Sequence, residues 1–333
     1  MAKIAVMGAG SWGTTFAKIL ADAGNDVTIW ARRADLVEEI NDDHRNGDYL
    51  PGIRLPESLK ASTEVAEVLN GVEQVYLAVP SQTLRGNLQA WGNQIPKDAI
   101  LVSLMKGVEK DTGLRMSEVI ADVLGFPQSQ VVVVSGPNLA LEIANEEPAA
   151  SVAASTSKAA AGEVARSASN AYFTTFTNHD VIGTEFGGIL KNLIAVAIGI
   201  VNGVGYGQNT KASIMTRGLA EISRFAVAYG AKQSTMVGLA GLGDLIATAE
   251  SPLSRNHRAG EMLGKGYTKK EVLKRMSQTA EGLASVAPVL QLAAEKGVAM
   301  PIVEQVNLVI EGKMNPRDIA PHLTHDTDQP QGE

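Results

Sequence analysis

The chain has 333 residues, of which 45% are apolar and 20% are charged, and its formal net charge is −7. This composition excludes a disordered or fibrous chain, and at about 150 residues per domain the length predicts two domains. Cys is absent, which excludes disulfides, thiolate metal sites and a cysteine nucleophile. The acidic balance argues against a general nucleic-acid-binding protein.

The first half of the chain alternates short apolar runs with helical patterns. A strand is predicted at residues 3–7 and a helix at 14–23, ended by Gly24-Asn25. Further strands are predicted at 26–31, 74–79, 99–104, 131–134, 148–154 and 171–177. Because these runs are apolar on both faces, they predict a doubly wound, mostly parallel α/β sheet of the Rossmann type over residues 1–182.

Strand signals largely disappear near residue 183, which predicts a second, all-helical domain that binds substrate over residues 183–325. The polar tail at 326–333 is expected to be frayed. Helices are predicted at 184–201, 211–229, 268–275, 281–296 and 301–311, the last with Pro301 in its first turn.

The sequence carries no recognisable secretory leader after Met1. The most apolar later run, Leu193–Val201, is far shorter than the roughly 20 residues of a membrane-spanning helix. We therefore expect a cytoplasmic protein with no stable membrane insertion.

Gly8, Gly10 and Gly13 form a G-x-G-x-x-G motif between the first predicted strand and the first predicted helix. In that context the glycines permit a tight turn, close approach of a pyrophosphate and close helix–strand packing. The alternative is an ordinary turn that contains glycines, but position and spacing both favour a dinucleotide site.

The second predicted strand ends in Trp30-Ala31-Arg32-Arg33, where an NAD-selective site usually carries Asp or Glu. Two guanidinium groups suit a ribose 2′-phosphate, so the sequence predicts a preference for NADPH, with NADH tolerated. The alternative is a pair of solvated surface arginines.

Polar groups follow several strands or interrupt apolar helices. Lys106 and the Gly136–Asn138 segment lie at strand ends, where open α/β sheets bind ligands. Lys191 lies inside an apolar helical pattern and must be paired, reach solvent or be functional.

A second glycine cluster ends at Asp244, and Ser254-Arg255-Asn256 follows it. Because no strand precedes the cluster, it is not a second nucleotide loop. The glycine cluster would allow Asp244 to contact a ligand. The alternative is that Asp244 only caps the N-terminus of a helix. The trio suits a phosphate dianion, and a surface turn is the alternative.

Together these motifs resemble bacterial NAD(P)-dependent glycerol-3-phosphate dehydrogenases over nearly the whole chain, from Lys3 to about Arg317. The most specific part is Gly-Leu-Gly-Asp at 241–244 with Ser-Pro-Leu-Ser-Arg-Asn at 251–256. The resemblance implies reversible reduction of dihydroxyacetone phosphate, a triose phosphate, to sn-glycerol 3-phosphate with NAD(P)H, feeding glycerophospholipid synthesis. It also implies a homodimer.

The resemblance further implies individual roles, with Lys191, Asp244 and Lys106 as catalytic residues and Arg255 with Asn256 on the substrate phosphate. The implied substrate contacts are Lys106, Gly136, Asn138, Lys191, Asp244, Ser254, Arg255 and Asn256. The cofactor contacts, including the glycine-rich loop, are Gly8, Gly10, Ser11, Trp12, Gly13, Arg32, Arg33, Tyr49, Lys106, Ala140, Arg255, Thr279 and Glu281, the last on the nicotinamide side. Asn138 stands where the family usually has Ser or Thr, and an amide can still hydrogen-bond a substrate hydroxyl.

The residues themselves are consistent with this chemistry. Hydride addition to a ketone leaves an alkoxide that needs a proton and charge stabilisation, and the Lys191 ammonium can supply both. Lys106 would add positive potential, and Asp244 would orient Lys191. The five His residues show no ligand spacing, so we expect no metal.

Other functions remain open at this point. Ketopantoate reductase, 6-phosphogluconate dehydrogenase and hydroxyisobutyrate dehydrogenase share a two-domain architecture of this kind. A non-catalytic NADPH-binding sensor, or a helical scaffold stabilised by the cofactor, belongs to a different class. The trio after Asp244 favours the glycerol-3-phosphate assignment.

Overall fold

A computed structural model describes residues 1–276 and 280–319. The chain separates into two compact units, Met1–Glu185 and Phe186–Glu333. The expected boundary after residue 182 lies three residues before this division, and the expected tail at 326–333 lies outside the described residues.

The first unit contains a single sheet of eight strands in the spatial order 3-2-1-4-5-6-7-8. All neighbouring strands are parallel except the sixth and seventh, which are antiparallel. This confirms the doubly wound, mostly parallel α/β class. The strands are β1 (Lys3–Met7), β2 (Asp26–Trp30), β3 (Lys60–Ser62), β4 (Gln74–Leu77), β5 (Ile100–Ser103), β6 (Val131–Ser135), β7 (Ala149–Ala154) and β8 (Phe173–Asn178).

The sheet is buried on both faces. Along β1, Ile4 and Val6 join one apolar cluster, whereas Ala5 and Met7 join another on the opposite face. This alternation explains why the strands are apolar throughout. The covering helices are α1 (Ser11–Asp22), α2 (Ala34–Glu38), α3 (Val65–Val68), α4 (Leu84–Trp91), α5 (Met116–Leu124), α6 (Ala140–Ala144) and α7 (Lys158–Ser167).

The second unit has no strand among its described residues, as the all-helical prediction required. Pro301 is in the first turn of its helix, as predicted. The helices are α8 (Val181–Val204), which begins before the division, α9 (Gln208–Ala228), α10 (Gln233–Met236), α11 (Asp244–Glu250), α12 (Arg255–Gly264), α13 (Lys269–Arg275), α14 (Glu281–Glu295) and α15 (Pro301–Ile310).

Two expectations about local structure in the first half were wrong. Helix α1 begins at Ser11 instead of residue 14, because the glycine-rich motif itself forms the first turn. Strand β3 was missed because it has three residues, Lys-Ala-Ser, with no apolar run, and pairs only with β2 at the sheet edge.

Helix α8 is longer than the apolar run that the sequence analysis considered. Its 24 residues are long and apolar enough to cross a membrane by length and composition. However, 83% of its most apolar window is buried within the protein, as is typical of a core helix.

Helices α8 and α12 cross with their backbones in close contact. Added Cβ atoms at Gly199 and Gly203 of α8 would lie 2.2 Å from the carbonyl oxygens of His257 and Glu261. A Cβ at Gly260 of α12 would likewise lie 2.2 Å from a carbonyl oxygen of α8. The crossing therefore requires glycine, and it joins the helix that carries Lys191 to the helix that begins at Arg255.

Candidate active site

The loop between β1 and α1 is shaped by its three glycines. Gly8 has φ +125°, and an added Cβ would lie 2.6 Å from the Ala78 carbonyl oxygen. A Cβ at Gly13 would lie 1.9 Å from the Gly8 carbonyl oxygen, whereas one at Gly10 would meet no heavy atom within 4 Å. Gly10 is the N-cap residue of α1 and has no side chain that could accept a hydrogen bond from the first turn. The open backbone and the N–H groups of the first turn fit a dinucleotide pyrophosphate.

The residues around this loop are held by contacts along α1. The indole Nε1 of Trp12 is buried with no hydrogen-bond partner among the residues of 1–276 and 280–319, and its ring packs edge-on against Phe16. The Thr15 hydroxyl donates to the carbonyl oxygen of Ala140 at 3.2 Å, which places the start of α6 beside α1. The cofactor candidates Trp12 and Ala140 are thus both adjacent to the glycine-rich loop.

Residues 46–49 fold back onto the same loop. The buried Asn46 amide donates to the Ala9 carbonyl oxygen at 3.1 Å and to the Thr14 hydroxyl at 2.8 Å. The Ser11 hydroxyl donates to the Tyr49 carbonyl oxygen at 3.0 Å. Tyr49 thus lies beside the glycine-rich motif with its side chain partly exposed. Asn46 is a contributor that the sequence analysis missed, because nothing in the local pattern links residue 46 to residue 9.

The two arginines after β2 differ in their surroundings. Arg33 forms an ion pair with Asp48 (Nη2–Oδ2, 2.5 Å) and a longer one with Asp35 (Nε–Oδ1, 3.7 Å). Arg32 is exposed and has no ion-pair or hydrogen-bond partner within the part of the chain that the structure describes. The structure therefore leaves Arg32 available for a ligand, whereas Arg33 is already engaged.

Lys106 and Gly136 come together after β5 and β6. The Lys106 ammonium donates to the Gly136 carbonyl oxygen at 3.1 Å, and the side chain is half-buried. The Asn138 amide donates to the Ser151 hydroxyl at 3.4 Å, and its Oδ1 is buried with no partner in the described part of the chain. A buried acceptor without a partner is uncommon and is compatible with a ligand hydroxyl.

Lys191 lies on α8 in the second unit, with 6% of its surface exposed. Its ammonium is 2.8 Å from Oδ1 of the buried Asp244, and it also donates to the Thr248 hydroxyl. Asp244 is the first residue of α11 and Gly243 is its N-cap, so the N-cap alternative for Asp244 is wrong. Thr248 was missed by the sequence analysis, although its i+4 spacing on a helix starting at Asp244 is the signal that would have found it.

The glycine cluster before Asp244 forms a wide helical turn, Leu239–Gly243, that packs against α8. A Cβ at Gly187 of α8 would lie 2.4 Å from the Ala240 carbonyl oxygen, and one at Gly241 would lie 2.0 Å from the Met236 carbonyl oxygen. These glycines therefore bring the start of α11 close to α8, which is why Asp244 reaches Lys191.

The Ser254-Arg255-Asn256 trio forms the start of α12. The Ser254 hydroxyl caps the helix by accepting from the His257 backbone N–H at 3.2 Å. Arg255 is exposed. The Asn256 side chain is buried: its amide donates to Asn192 Oδ1 at 2.8 Å, and its Oδ1 accepts from the Gly282 N–H at 2.9 Å. The Asn256 side chain is thus engaged within the protein.

The remaining expected cofactor contacts lie near the start of α14. Glu281 is the first residue of that helix, directly before Gly282. Thr279 lies outside the described residues. Among the residues that are described, no group of three or more His, Asp or Glu side chains could hold a metal ion.

A Rossmann-type sheet with a loop that fits a pyrophosphate, followed by a helical unit with a buried lysine–aspartate pair, defines an NAD(P)-dependent dehydrogenase. Sequence profiles described as the N-terminus and the C-terminus of NAD-dependent glycerol-3-phosphate dehydrogenase match residues 3–161 and 180–321. The chain therefore belongs to the NAD-dependent glycerol-3-phosphate dehydrogenase family.

Individual relatives agree with this assignment. The chain is 64% identical over 328 residues to the glycerol-3-phosphate dehydrogenase [NAD(P)+] of Leifsonia xyli subsp. xyli, covering 98% of this chain and 89% of the relative. A crystal structure of glycerol-3-phosphate dehydrogenase from Coxiella burnetii superposes with a TM-score of 0.90 at 36% identity, covering 97% of this chain and 98% of the other. A ketopantoate reductase from Ralstonia eutropha, at 17% identity and a TM-score of 0.60, shares the fold alone.

Proposed function

We propose that the protein catalyses the reversible reduction of dihydroxyacetone phosphate to sn-glycerol 3-phosphate with NAD(P)H. The observation that carries the proposal is the buried Lys191 ammonium, held by Asp244 and Thr248 on a helix that is locked to the start of α12. Burial of an ammonium has a desolvation cost, which the contacts with Asp244 and Thr248 offset for Lys191 in an otherwise apolar helix.

Lys191 is the proton donor in the reducing direction and the acceptor in the oxidising direction. A bound reduced nicotinamide would supply the hydride to the ketone carbon. The Lys191 ammonium then stabilises the developing alkoxide and protonates it. Asp244 and Thr248 hold the ammonium in one orientation, so little reorganisation accompanies proton transfer.

We assign the substrate phosphate to the start of α12. Arg255 supplies an exposed guanidinium, and the backbone N–H groups of residues 255 and 256 belong to the first turn of a ten-residue helix, where N–H groups lack intrahelical partners. The Ser254 hydroxyl accepts from the His257 N–H and keeps its own hydrogen as a donor for the phosphate. The Asn256 side chain is engaged with Asn192 and Gly282, so its contribution would come through the main chain. Lys106, Gly136 and Asn138 are assigned to the hydroxyl and carbonyl end of the substrate.

The cofactor assignment follows from the first unit. The glycine-rich loop, with Ser11 and Trp12, is assigned to the pyrophosphate, and Tyr49 and Ala140 lie beside it. Arg32 supplies an exposed guanidinium that has no partner among the described residues, which supports NADPH as the preferred cofactor and NADH as an accepted one. Glu281 is assigned to the nicotinamide side.

The partners and location of the protein are part of the same proposal. Its partner is a small triose phosphate, with no nucleic acid, and the net charge of −7 supports this. The burial of α8 within the protein supports the absence of membrane insertion, and we propose a cytoplasmic location. We further propose a homodimer, on the strength of the family resemblance.

The decisive experiment follows the absorbance of the reduced nicotinamide with dihydroxyacetone phosphate, using NADPH and NADH in parallel. We expect both NADPH and NADH to be oxidised. At low cofactor concentration, NADPH should be oxidised faster than NADH. A sensor or a scaffold would show cofactor-dependent melting without turnover. Turnover of ketopantoate but not of dihydroxyacetone phosphate would overturn the proposal.

A further inference from the structure

The tip of β2 carries no acidic residue in sequence, yet the fold brings a carboxylate to that position. Asp48 Oδ2 lies 2.5 Å from Nη2 of Arg33, although the two residues are 15 positions apart. Neither the sequence motif nor the family comparison assigns a role to Asp48. It lies in the region where the ribose bearing the 2′ substituent is recognised in Rossmann-type domains.

The position of Asp48 is fixed from both sides. Before it, the buried Asn46 side chain is bound to Ala9 and Thr14 of the glycine-rich turn. After it, the Tyr49 carbonyl oxygen accepts the Ser11 hydroxyl at 3.0 Å. The segment that carries Asp48 is therefore anchored to the loop that fits the pyrophosphate, and the Asp48 carboxylate is held by its ion pair with Arg33.

The charge arrangement at this corner is mixed. Arg32 is exposed and unengaged within the described part of the chain, whereas Arg33 is paired with Asp48 and lies 3.7 Å from Asp35. A 2′-phosphate is attracted by both guanidinium groups and repelled by the Asp48 carboxylate. A 2′-hydroxyl is bound more tightly when it can donate a hydrogen bond to a carboxylate, and it does not need a second guanidinium.

We propose that Asp48 determines the choice between NAD(H) and NADP(H). The Asp48 carboxylate accepts the 2′-hydroxyl of NAD(H), and Arg33 exchanges Asp48 for the 2′-phosphate of NADP(H). This accounts for acceptance of both cofactors by a chain with two arginines at the strand tip. The inference rests on the cofactor site of the proposed function and adds a specificity-determining residue to it.

The test measures binding of two adenosine ligands to the protein without substrate. Adenosine 2′,5′-bisphosphate carries the 2′-phosphate and AMP carries the 2′-hydroxyl, so calorimetric dissociation constants report on this corner independently of turnover. Asp48→Asn keeps the shape and removes the charge. We expect weaker AMP binding and tighter bisphosphate binding, which together shift the affinity ratio about tenfold toward the bisphosphate.

The matched control is Asp35→Asn, which removes an equal charge from a longer contact with the same guanidinium. We expect it to shift the ratio by less than about threefold. An Arg33→Ala background should reduce the gain in bisphosphate affinity from Asp48→Asn, because the freed guanidinium is then absent and only the relief of repulsion by Asp48 remains.

The inference would be overturned if Asp48→Asn left the affinity ratio of the bisphosphate to AMP unchanged, or if Asp35→Asn shifted that ratio equally. Melting temperatures that match the parent show that the variants are folded. The outcome is independent of the proposed reaction. If dihydroxyacetone phosphate were not reduced but the ratio shifted, the proposed function would fail and the role of Asp48 would stand.

Discussion

Asn256 donates its side-chain amide to Asn192 at 2.8 Å, and Asn192 directly follows Lys191 on α8. The Asn256 oxygen accepts the N–H of Gly282, so one buried side chain joins the starts of α12 and α14 to the lysine helix. A Cβ at Gly282 would lie 2.8 Å from the Asn256 oxygen, so the close approach depends on glycine. The residue expected to bind phosphate thus aligns three helices around the site.

The first prediction concerns this connection. Asn256→Ala leaves the Gly282 N–H and the Asn192 oxygen buried without partners, which should cost about 1–3 kcal/mol in the free energy of unfolding. Urea denaturation measures this free energy of unfolding. Asn307→Ala, which removes an exposed side-chain hydrogen bond on α15, is the control. A loss below about 0.5 kcal/mol for Asn256→Ala would show that the connection contributes little.

The second prediction tests Lys191. Lys191→Ala should lower kcat by roughly a hundred- to ten-thousand-fold, because it removes the proton donor, and binding of AMP to the first unit should be unchanged. Lys211→Ala, which removes an ammonium that donates to Asn202 Oδ1, is the control and should keep its turnover. A Lys191→Ala enzyme with parental kcat would remove Lys191 from the mechanism.

The third prediction separates phosphate binding from chemistry. Arg255→Ala should mainly raise the KM for dihydroxyacetone phosphate, by about ten- to a hundredfold, because a charge-assisted contact to the phosphate is lost. Arg258→Ala, an exposed guanidinium on the same helix, serves as the control. If an unphosphorylated ketone suffered as much as the phosphate ester, the contact would not be to phosphate.

The fourth prediction concerns pH and Glu221 on α9. Burial raises its pKa to about 7, although the carboxylate accepts the N–H groups of Ile302 and Val303 at 2.9 and 3.1 Å. Since the folded-state pKa exceeds the unfolded one, the folded state binds the proton more tightly. The stability contributed by this group is therefore present below its unfolded pKa and is lost as the pH rises through about 7.

Unfolding free energies measured between pH 5 and 8 check this prediction. The parent should lose stability across that window on the order of 3 kcal/mol from this group, and Glu221→Gln should flatten the profile. An identical pH profile in the two proteins would assign the loss to other groups.

The fifth prediction concerns the crossing of α8 and α12. Gly260→Ala places a methyl group against a backbone carbonyl that cannot move aside, which should cost about 1–3 kcal/mol or more in stability. Gly162→Ala on α7, where the nearest atom is the flexible Arg166 guanidinium at 3.6 Å, should instead stabilise by up to about 1 kcal/mol. Comparable thermal stability of the two variants would contradict the close crossing.

The sequence was sufficient for the fold class because burial on both sheet faces leaves an apolar signature in each strand. The glycine-rich loop was predictable because its spacing is local. Asp48 and Asn46 depend instead on contacts between distant segments, whereas Thr248 lies one helical turn after Asp244, a local spacing that the sequence analysis did not use. Strand β3 has too few apolar residues to be recognised, since the pairing with β2 and not a buried face defines it.

The role of Asn256 shows a further limit of sequence reasoning. An amide after an arginine at a helix start is equally suited to binding a phosphate or to joining helices. Only the positions of Asn192 and Gly282, 64 residues before it and 26 after it, distinguish the two.

The glycine crossing of α8 and α12 has a consequence for how this unit tolerates change. With main chain against main chain, the separation of the two helices does not depend on the volumes of the leucine, isoleucine and valine side chains around them. The distance between the helix that carries Lys191 and the start of α12 is thereby set by backbone contact at the glycines.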